Sequence, residues 1–358
     1  MTASLGRGLL HLAAAVDLAD TYRPEPYAEL VRLAERGALD FVTLGDSFAR
    51  PGPDALAVLT HVAPLTARVG LVPTVTTTHT EPFHVQAAVA SLDWVSRGRA
   101  GWRPEVSTGE GEARLFGRRE AAHAHHLWQE ATEVAEVSRR LWDSWEDDAE
   151  IRSVATGRFV DRAKLHHVDF QGASFSVKGP SIVPRPPQGH PVIVVDATEP
   201  AARDTAARHA EVALIRAVGP EQSEELGDEL RAAAAAHGRD PDGLRVLAAL
   251  TVDLGEGERA AEPGHGGGGP RPSPRGPLYR GGPVDLADLL ATWHGRGAVD
   301  GFHLTPLEPR RDLERLVNGT VPLLQHRALF RTFYPGSTLR EHLGLARPAN
   351  RYAPGVPS

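Results

Sequence analysis

The chain of 358 residues contains no cysteine. That excludes disulfide staples, thiolate-ligated zinc, iron–sulfur clusters and thiol nucleophiles. Positive charge is not in excess either: 39 Lys and Arg stand against 46 Asp and Glu, a formal net charge of −7. A mildly acidic chain exerts no general attraction on nucleic acid or an anionic membrane, and no basic cluster is long enough to reverse the sign locally. No apolar run approaches the length of about 20 residues that a membrane span needs. Met1 to Arg7 lacks a basic segment followed by an apolar core, and Asp17 and Asp20 interrupt the residues after it, which predicts no signal peptide and a cytoplasmic protein. No Gly-x-Gly-x-x-Gly comes after the first apolar run, which weighs against a dinucleotide-binding Rossmann fold. The chain is otherwise ordinary globular material, 41% hydrophobic and 24% charged, enough for a sizeable core.

The chain alternates. Leu9 to Leu18 reads as a strand, Tyr27 to Arg36 as a helix with Leu30, Val31, Leu33 and Ala34 at helical spacing, and Leu39 to Leu44 as a strand that ends in Gly45-Asp46-Ser47. Pro53 to Thr66 reads as a helix, Val69 to Thr77 as a buried strand, Glu81 to Ser96 as a helix opened by Pro82, and Arg99 to Val106 as a strand. Glu120 to Trp145 is a long helix, succeeded by an irregular, Gly- and Pro-rich stretch to Pro191. Strands then return near Val192 to Val195, Val212 to Arg216, Leu244 to Leu254 and Gly301 to Thr305, with helices at Pro200 to His209, Glu221 to His237 and Val284 to His294. Strand–helix alternation at this spacing implies a parallel sheet. Eight such units predict an α/β protein of the (β/α)8 TIM-barrel type, one domain over residues 1–358. Residues 146–191 and 255–282 read as rim excursions; the second, with Gly266 to Gly269 and Pro270-Arg271-Pro272-Ser273-Pro274, predicts a mobile loop.

Several strings carry a family resemblance. They are Leu92-Asp93-Trp94-Val95-Ser96-Arg97-Gly98-Arg99-Ala100-Gly101-Trp102, Leu141-Trp142-Asp143-Ser144-Trp145, Gly179-Pro180-Ser181, Pro187-Gln188-Gly189, Ala298-Val299-Asp300-Gly301-Phe302, Val321-Pro322-Leu323-Leu324-Gln325, Thr338-Leu339-Arg340-Glu341 and Leu343-Gly344-Leu345. In this order, over nearly the whole chain, they resemble the bacterial-luciferase-like flavin monooxygenases, in the branch of the nitrilotriacetate and dibenzothiophene-sulfone monooxygenases. The resemblance implies a TIM barrel that binds reduced FMN at its C-terminal mouth and uses O2 to oxidise a small organic substrate. It also implies a separate flavin reductase as partner and a homodimer. The hard chemistry would belong to the cofactor, and positioning and water exclusion to the protein.

Laid on that resemblance, Asp46 would lie beside the flavin ring; read alone, it caps the turn Gly-Asp-Ser. Among Thr74, Thr76, Thr77 and Thr78, alternation puts Thr74 and Thr76 on one face, and Thr76 is the expected ring contact. Arg103 stands where the family has Asn after Gly-Trp. It supplies no amide acceptor, but its charge suits an anionic flavin edge or a substrate acid. Leu127 and Trp128 stand where the family has Arg-Tyr, leaving Trp128 either to stack on a ring or to pack. Ala197-Thr198-Glu199-Pro200 stands in for Gly-Ser-Ser-Pro at the phosphate-binding helix start. Thr198 keeps a hydroxyl, whereas Glu199 sets a like charge against a dianion. Three outcomes are open for Glu199: it points away, Arg203 neutralises it, or the chain binds flavin weakly or binds a different flavin. His79, His126 and His303 are the candidate catalytic bases, since an unshifted imidazole titrates near neutral pH; a core histidine is the alternative for His303. His123 and His126 share a helical face without an obvious carboxylate, so no metal site is assigned. The tail from Arg327 to Asn350, with Arg331, Tyr334 and Arg340, reads as structural. Two other readings stay open: a family member with a degenerate flavin site that serves as a binding or accessory protein, and an oxidoreductase that uses the deazaflavin F420.

Overall fold

A computed structural model describes residues 8–353, apart from Asp20, Glu256 and Gly267. Met1 to Arg7 and Asp20, on which the expectation of no signal peptide rests, lie outside the described residues. The elements in chain order are β1 (His11–Ala15), α1 (Pro24–Arg36), β2 (Phe41–Leu44), α2 (Ala55–Val62), β3 (Gly70–Thr76), α3 (Pro82–Ser96), β4 (Gly101–Glu105), α4 (Glu110–Phe116) and α5 (Ala124–Asp143). Then come β5 (Glu150–Ser153), β6 (Arg158–Val160), β7 (Phe170–Gln171), β8 (Ser176–Val177), β9 (Val192–Asp196), α6 (Pro200–His209), β10 (Val212–Ile215), α7 (Pro220–Ala236), β11 (Arg245–Asp253) and β12 (Leu278–Arg280). The chain finishes with α8 (Pro283–Gly295), β13 (Gly301–Pro306), α9 (Pro309–Arg315), α10 (Val321–His326) and α11 (Leu339–His342).

Local chemistry explains the punctuation. Proline occupies the first position of α1, α3, α6, α7, α8 and α9, where its missing N–H is not needed and its fixed φ suits the helix. Asp54 caps α2 by accepting the Ala57 N–H at 2.6 Å. The strands are rich in Val, Leu, Ile and Ala and are buried on both faces, as a parallel sheet under helices requires.

Among the described residues, eight parallel strands close into a ring in the order β1, β2, β3, β4, β9, β10, β11, β13. β10 pairs with β11 through Val212↔Arg245 to Ile215↔Ala248, and β13 returns to β1 through His11↔Gly301. The barrel is the expected one. The inside is filled by Ala13, Phe41, Val72, Val192, Val194, Val212, Leu214 and Leu247, and is plugged from its N-terminal end by Leu339 and Leu343 of the tail. That plug needs glycine below it: a Cβ on Gly70 would lie 2.6 Å from Leu339 Cδ1. The outward strand faces, including Trp102, Ile193, Phe302 and Leu304, form the larger core with the surrounding helices.

Two sequence expectations are corrected, and the second rim excursion holds a short strand. The stretch after the long helix is not wholly irregular, for it holds the antiparallel pairs β5–β6 and β7–β8; strands of two to four residues leave no periodic signature. The long helix starts at Ala124, with His123 in the cap position, rather than at Glu120. Within residues 255–282, the segment Leu278–Arg280 runs parallel to the end of β11, Thr251↔Leu278 to Asp253↔Arg280. In the tail, Arg331 meets Asp40 at 2.9 Å and Arg340 meets Glu211 at 2.7 Å, joining the tail to the barrel floor.

Candidate active site

Strand parity decides which side chains reach the open C-terminal mouth. Alternate residues share a face, so positions two and four beyond the interior apolar set also point inward. On β3 and β4 these are Thr74 paired with Arg103 and Thr76 paired with Glu105. On β9 the position is Asp196, two beyond Val194; just past β10 it is Arg216, two beyond Leu214. On β11 and β13 the registered pair is Thr251 with Thr305, with Ala249 and His303 one step below. Polar residues at the C-terminal ends of barrel strands are where catalytic sites of this architecture assemble.

His303 is 4% exposed, and its Nε2 lies 2.8 Å from the hydroxyl of Thr43, which is 1% exposed. Burial, and then the charge of Arg103, lower its pKa to about 3. A histidine held that low is neutral throughout the physiological range, so it takes part by hydrogen bonding rather than by titrating. Asp196 accepts the N–H of Thr198 at 3.1 Å and its hydroxyl at 2.5 Å, and pairs with Arg216 at 3.3 Å. Glu105 has one long hydrogen bond, from the adjacent Val106 N–H at 3.4 Å. Burial raises its pKa; Arg103 opposes the rise, and Asp196 and Glu199 add to it.

Among the described residues, three at the mouth hold buried polar atoms without a partner: Thr74 Oγ1, Arg103 Nε, and both ring nitrogens of His79. Buried polar groups are satisfied in the great majority of cases, and two of these residues face each other across the β3–β4 ladder. The inward wall of β3 and β4 thus leaves a hydroxyl and a guanidinium N–H open to an acceptor. His79 comes just after β3 in the left-handed region at φ 68°, a conformation that costs energy in a residue with a side chain. Its ring stacks on Phe116 of α4 with centroids 4.7 Å apart, and Phe116 meets Phe48 edge-on at 4.7 Å. Burial, with help from Arg119, lowers the His79 pKa.

The other expected site residues are more scattered. Asp46, at the end of the second strand, accepts the N–H groups of Ser47 at 2.7 Å and Ala55 at 3.0 Å. Both carboxylate oxygens are thus engaged in the turn, and burial raises its pKa. Thr76 is buried on the inward face. Trp128 is 4% exposed and lies in the core between α5 and α6, its carbonyl accepting the hydroxyls of Thr132 and Thr205. His126 sits exposed on the first turn of α5, its ring 5.7 Å from that of His125. Glu199 is exposed in the cap position of α6 without a side-chain cap. Neutralisation by Arg203 does not occur, because Arg203 is bound to Glu229 at 3.1 Å and to the Ala197 carbonyl. The structure thus gathers Thr76, Arg103 and His303 on one inward face and leaves His126 outside it. Sequence reasoning missed Thr43, Glu105, Asp196 and Arg216. Parity counted from Arg103 and from Val194 carried the signal for Glu105 and Asp196.

Known proteins share this architecture. A profile of the luciferase-like monooxygenase family matches residues 8–296. N-acetyl-S-(2-succino)cysteine monooxygenase of Bacillus subtilis (strain 168) is 33% identical over 91% of each chain. Nitrilotriacetate monooxygenase component A of Aminobacter aminovorans is 33% identical, again over 91% of each, and dibenzothiophene-sulfone monooxygenase of Rhodococcus erythropolis is 29% identical over 90% of each. Among solved structures, a riboflavin lyase with modified FMN and riboflavin superposes with a TM-score of 0.84 at 22% identity, covering 95% of this chain and 97% of that one. Matched along most of its length by the family profile and by relatives of this similarity, the chain belongs to the luciferase-like monooxygenase family.

Proposed function

We propose that this chain is a flavin-dependent monooxygenase that oxidises a small organic molecule at the C-terminal mouth of its barrel. In this reading it uses reduced FMN and O2, and a separate reductase supplies the flavin. The observation that carries the reading is the facing pair of buried, unpartnered polar atoms, Thr74 Oγ1 and Arg103 Nε, on the inward wall of β3 and β4. These residues fit the acceptor-bearing edge of a flavin ring: a hydroxyl and a guanidinium donate, and the apolar floor beneath them accepts a planar face. The start of α6 does not fit a phosphate as it stands. The hydroxyl of Thr198 is spent on Asp196, Glu199 adds a negative charge, and Arg203 is engaged elsewhere. No phosphate position is therefore assigned there.

When bound, reduced flavin supplies the electrons with which oxygen is activated. The chain's own residues do the rest. Arg103 and Thr74 orient the ring, and Thr76 borders it one step above. Thr43 and His303 close the floor with a neutral hydrogen-bonded pair. Phe48, Phe116 and His79 cover one side of the mouth and exclude water. In this reading His79, whose pKa burial lowers, accepts a proton from substrate. The relative named component A of nitrilotriacetate monooxygenase supports a two-component arrangement, and in this reading the chain works as a homodimer in the cytoplasm. Among the described residues no helix is long and apolar enough to cross a membrane.

Anaerobic titration of the purified chain with reduced FMN tests the reading. Saturable binding in the micromolar range, about 8 kcal/mol, is expected. No binding up to millimolar FMN would turn the assignment toward an accessory role, and binding of reduced F420 alone would turn it toward a deazaflavin oxidoreductase.

A further inference from the structure

Glu105 is a carboxyl group with no structural task. It sits on the inward face of β4, level with Thr76 on β3. Its backbone is used, since its carbonyl accepts the N–H and the hydroxyl of Thr77 at 2.8 and 3.0 Å. Its side chain is not: among the described residues the one donor it meets is the neighbouring Val106 N–H at 3.4 Å, beyond the ordinary range. This differs from the buried carboxylates of the barrel floor, each of which meets several donors. Glu211, for example, takes the Ile193 N–H and two guanidinium groups within 2.8 Å.

The groups acting on Glu105 come from three sides. Arg103 lies two residues back on the same face, and its Nε is left without a partner. Asp196 on β9 and Glu199 at the start of α6 are the acidic neighbours. Thr74 and Thr76 border it from β3. Deeper in the barrel His303 is neutral, and at the mouth the exposed Arg216 is turned to Asp196. Burial and two negative neighbours oppose a charge on Glu105, whereas Arg103 and the Val106 N–H favour it. The net effect raises its pKa above that of free glutamate, which favours the neutral acid, whose O–H is a donor.

We propose that Glu105 is a proton-holding side chain of the flavin site, which meets the bound ring as the neutral acid and donates a hydrogen bond to an acceptor atom beside Arg103 and Thr74. This rests on the flavin reading above and adds a third donor to the same wall.

The test uses the full chain, Glu105→Gln and Glu105→Ala, with folding checked by far-UV circular dichroism. Dissociation constants for reduced FMN are measured anaerobically from pH 5.5 to 8.5. Glutamine keeps a donor and cannot titrate, so the ratio of the wild-type constant to that of Glu105→Gln cancels the ionisation of the ligand itself. The ratio is expected to be flat at low pH and then to rise about tenfold per pH unit once Glu105 ionises. Glu105→Ala is expected to bind about tenfold more weakly than Glu105→Gln at every pH. A flat ratio in folded variants overturns the proposal and leaves the flavin reading intact. Carbon-13 titration of Glu105 in the ligand-free chain supplies the second readout. A midpoint above that of free glutamate, moving down in Asp196→Asn, supports the proposal, and a midpoint at the free value overturns it. If no reduced FMN binds at any pH, the flavin reading and this proposal fall together, whatever the midpoint.

Discussion

The two ends of the barrel treat buried charge in opposite ways. At the N-terminal floor the buried carboxylates are saturated. Asp40 accepts the Leu12 N–H at 2.8 Å, the His11 ring at 3.0 Å and Arg331 at 2.9 Å. Asp300 takes the Val246 N–H and Arg231, both at 2.7 Å. Asp93, which takes the Ala100 N–H and both nitrogens of Gln188 within 3.1 Å but pairs with no cation among the described residues, differs: burial raises its pKa to about 6. Arginines from the tail complete this floor. At the C-terminal mouth, Glu105, Arg103, Thr74 and His79 are left short of partners. A fully paired charge holds strands in register, whereas an incompletely paired one is poised for a ligand and costs stability until the ligand arrives. The barrel floor therefore carries the carboxylate pairs that join tail and strands, and the mouth carries the groups proposed above to act, the division usual for this architecture.

The contrast is most exposed to test at Glu211. Its replacement by Ala strips Arg139 and Arg340 of their shared carboxylate, and a loss of about 3–5 kcal/mol is expected in urea unfolding, the usual cost of stranding one side of a buried pair. At the mouth, Arg103→Met should do the reverse. Its unfolding free energy should stay within about 1 kcal/mol of wild type, while affinity for reduced FMN falls at least about tenfold, or 1.4 kcal/mol. A large stability loss in that variant would erase the distinction between the ends. Acid provides a third check. Burial alone would raise the pKa of Glu211, but Arg139, Arg340 and the Ile193 N–H lower it to about 2 from 4.5. For Asp40, Arg331 and His11 likewise overcome burial and lower it to about 2 from 3.8. Carboxylates depressed in the fold stabilise it above their unfolded values, and that stability drains away as the pH falls from the unfolded toward the folded value. The urea midpoint should accordingly drop between pH 5 and about pH 3, and by less in Glu211→Gln, which has already lost the group. The smallest expected effect is at Glu199, exposed and screened: Glu199→Ser should tighten FMN binding by a few-fold at low salt and by less at high salt. Unchanged or weaker affinity would show that the Glu199 charge does not oppose the anionic ligand.

Much of the architecture is legible in the amino-acid order. Branched apolar runs of four to nine residues separated by proline-opened helices count out the barrel units, because periodicity and capping are local properties. The rim is not legible: the pairs β5–β6 and β7–β8 involve two to four residues a side, too few to pattern. The site is half legible. Parity places Thr74, Thr76 and Arg103 on one face, and His303 on the inside of the last strand. That Trp128 packs against α6, that Arg203 turns to Glu229, and that the hydroxyl of Thr198 is spent on Asp196 depend on neighbours far away or on a choice among equivalent local partners.

What the amino-acid order determined on its own was the repeat of strand and helix, the apolar filling of the barrel and the inward or outward face of each strand residue, since each depends on spacing along the chain. Tertiary closure alone decided which inward side chains meet. Thr43 and His303 touch across 260 positions of sequence, and Arg331 reaches Asp40 across 291. Only a closed ring brings the last strand beside the first. Whether a buried polar atom is satisfied or left waiting is therefore a property of the ring and not of any segment.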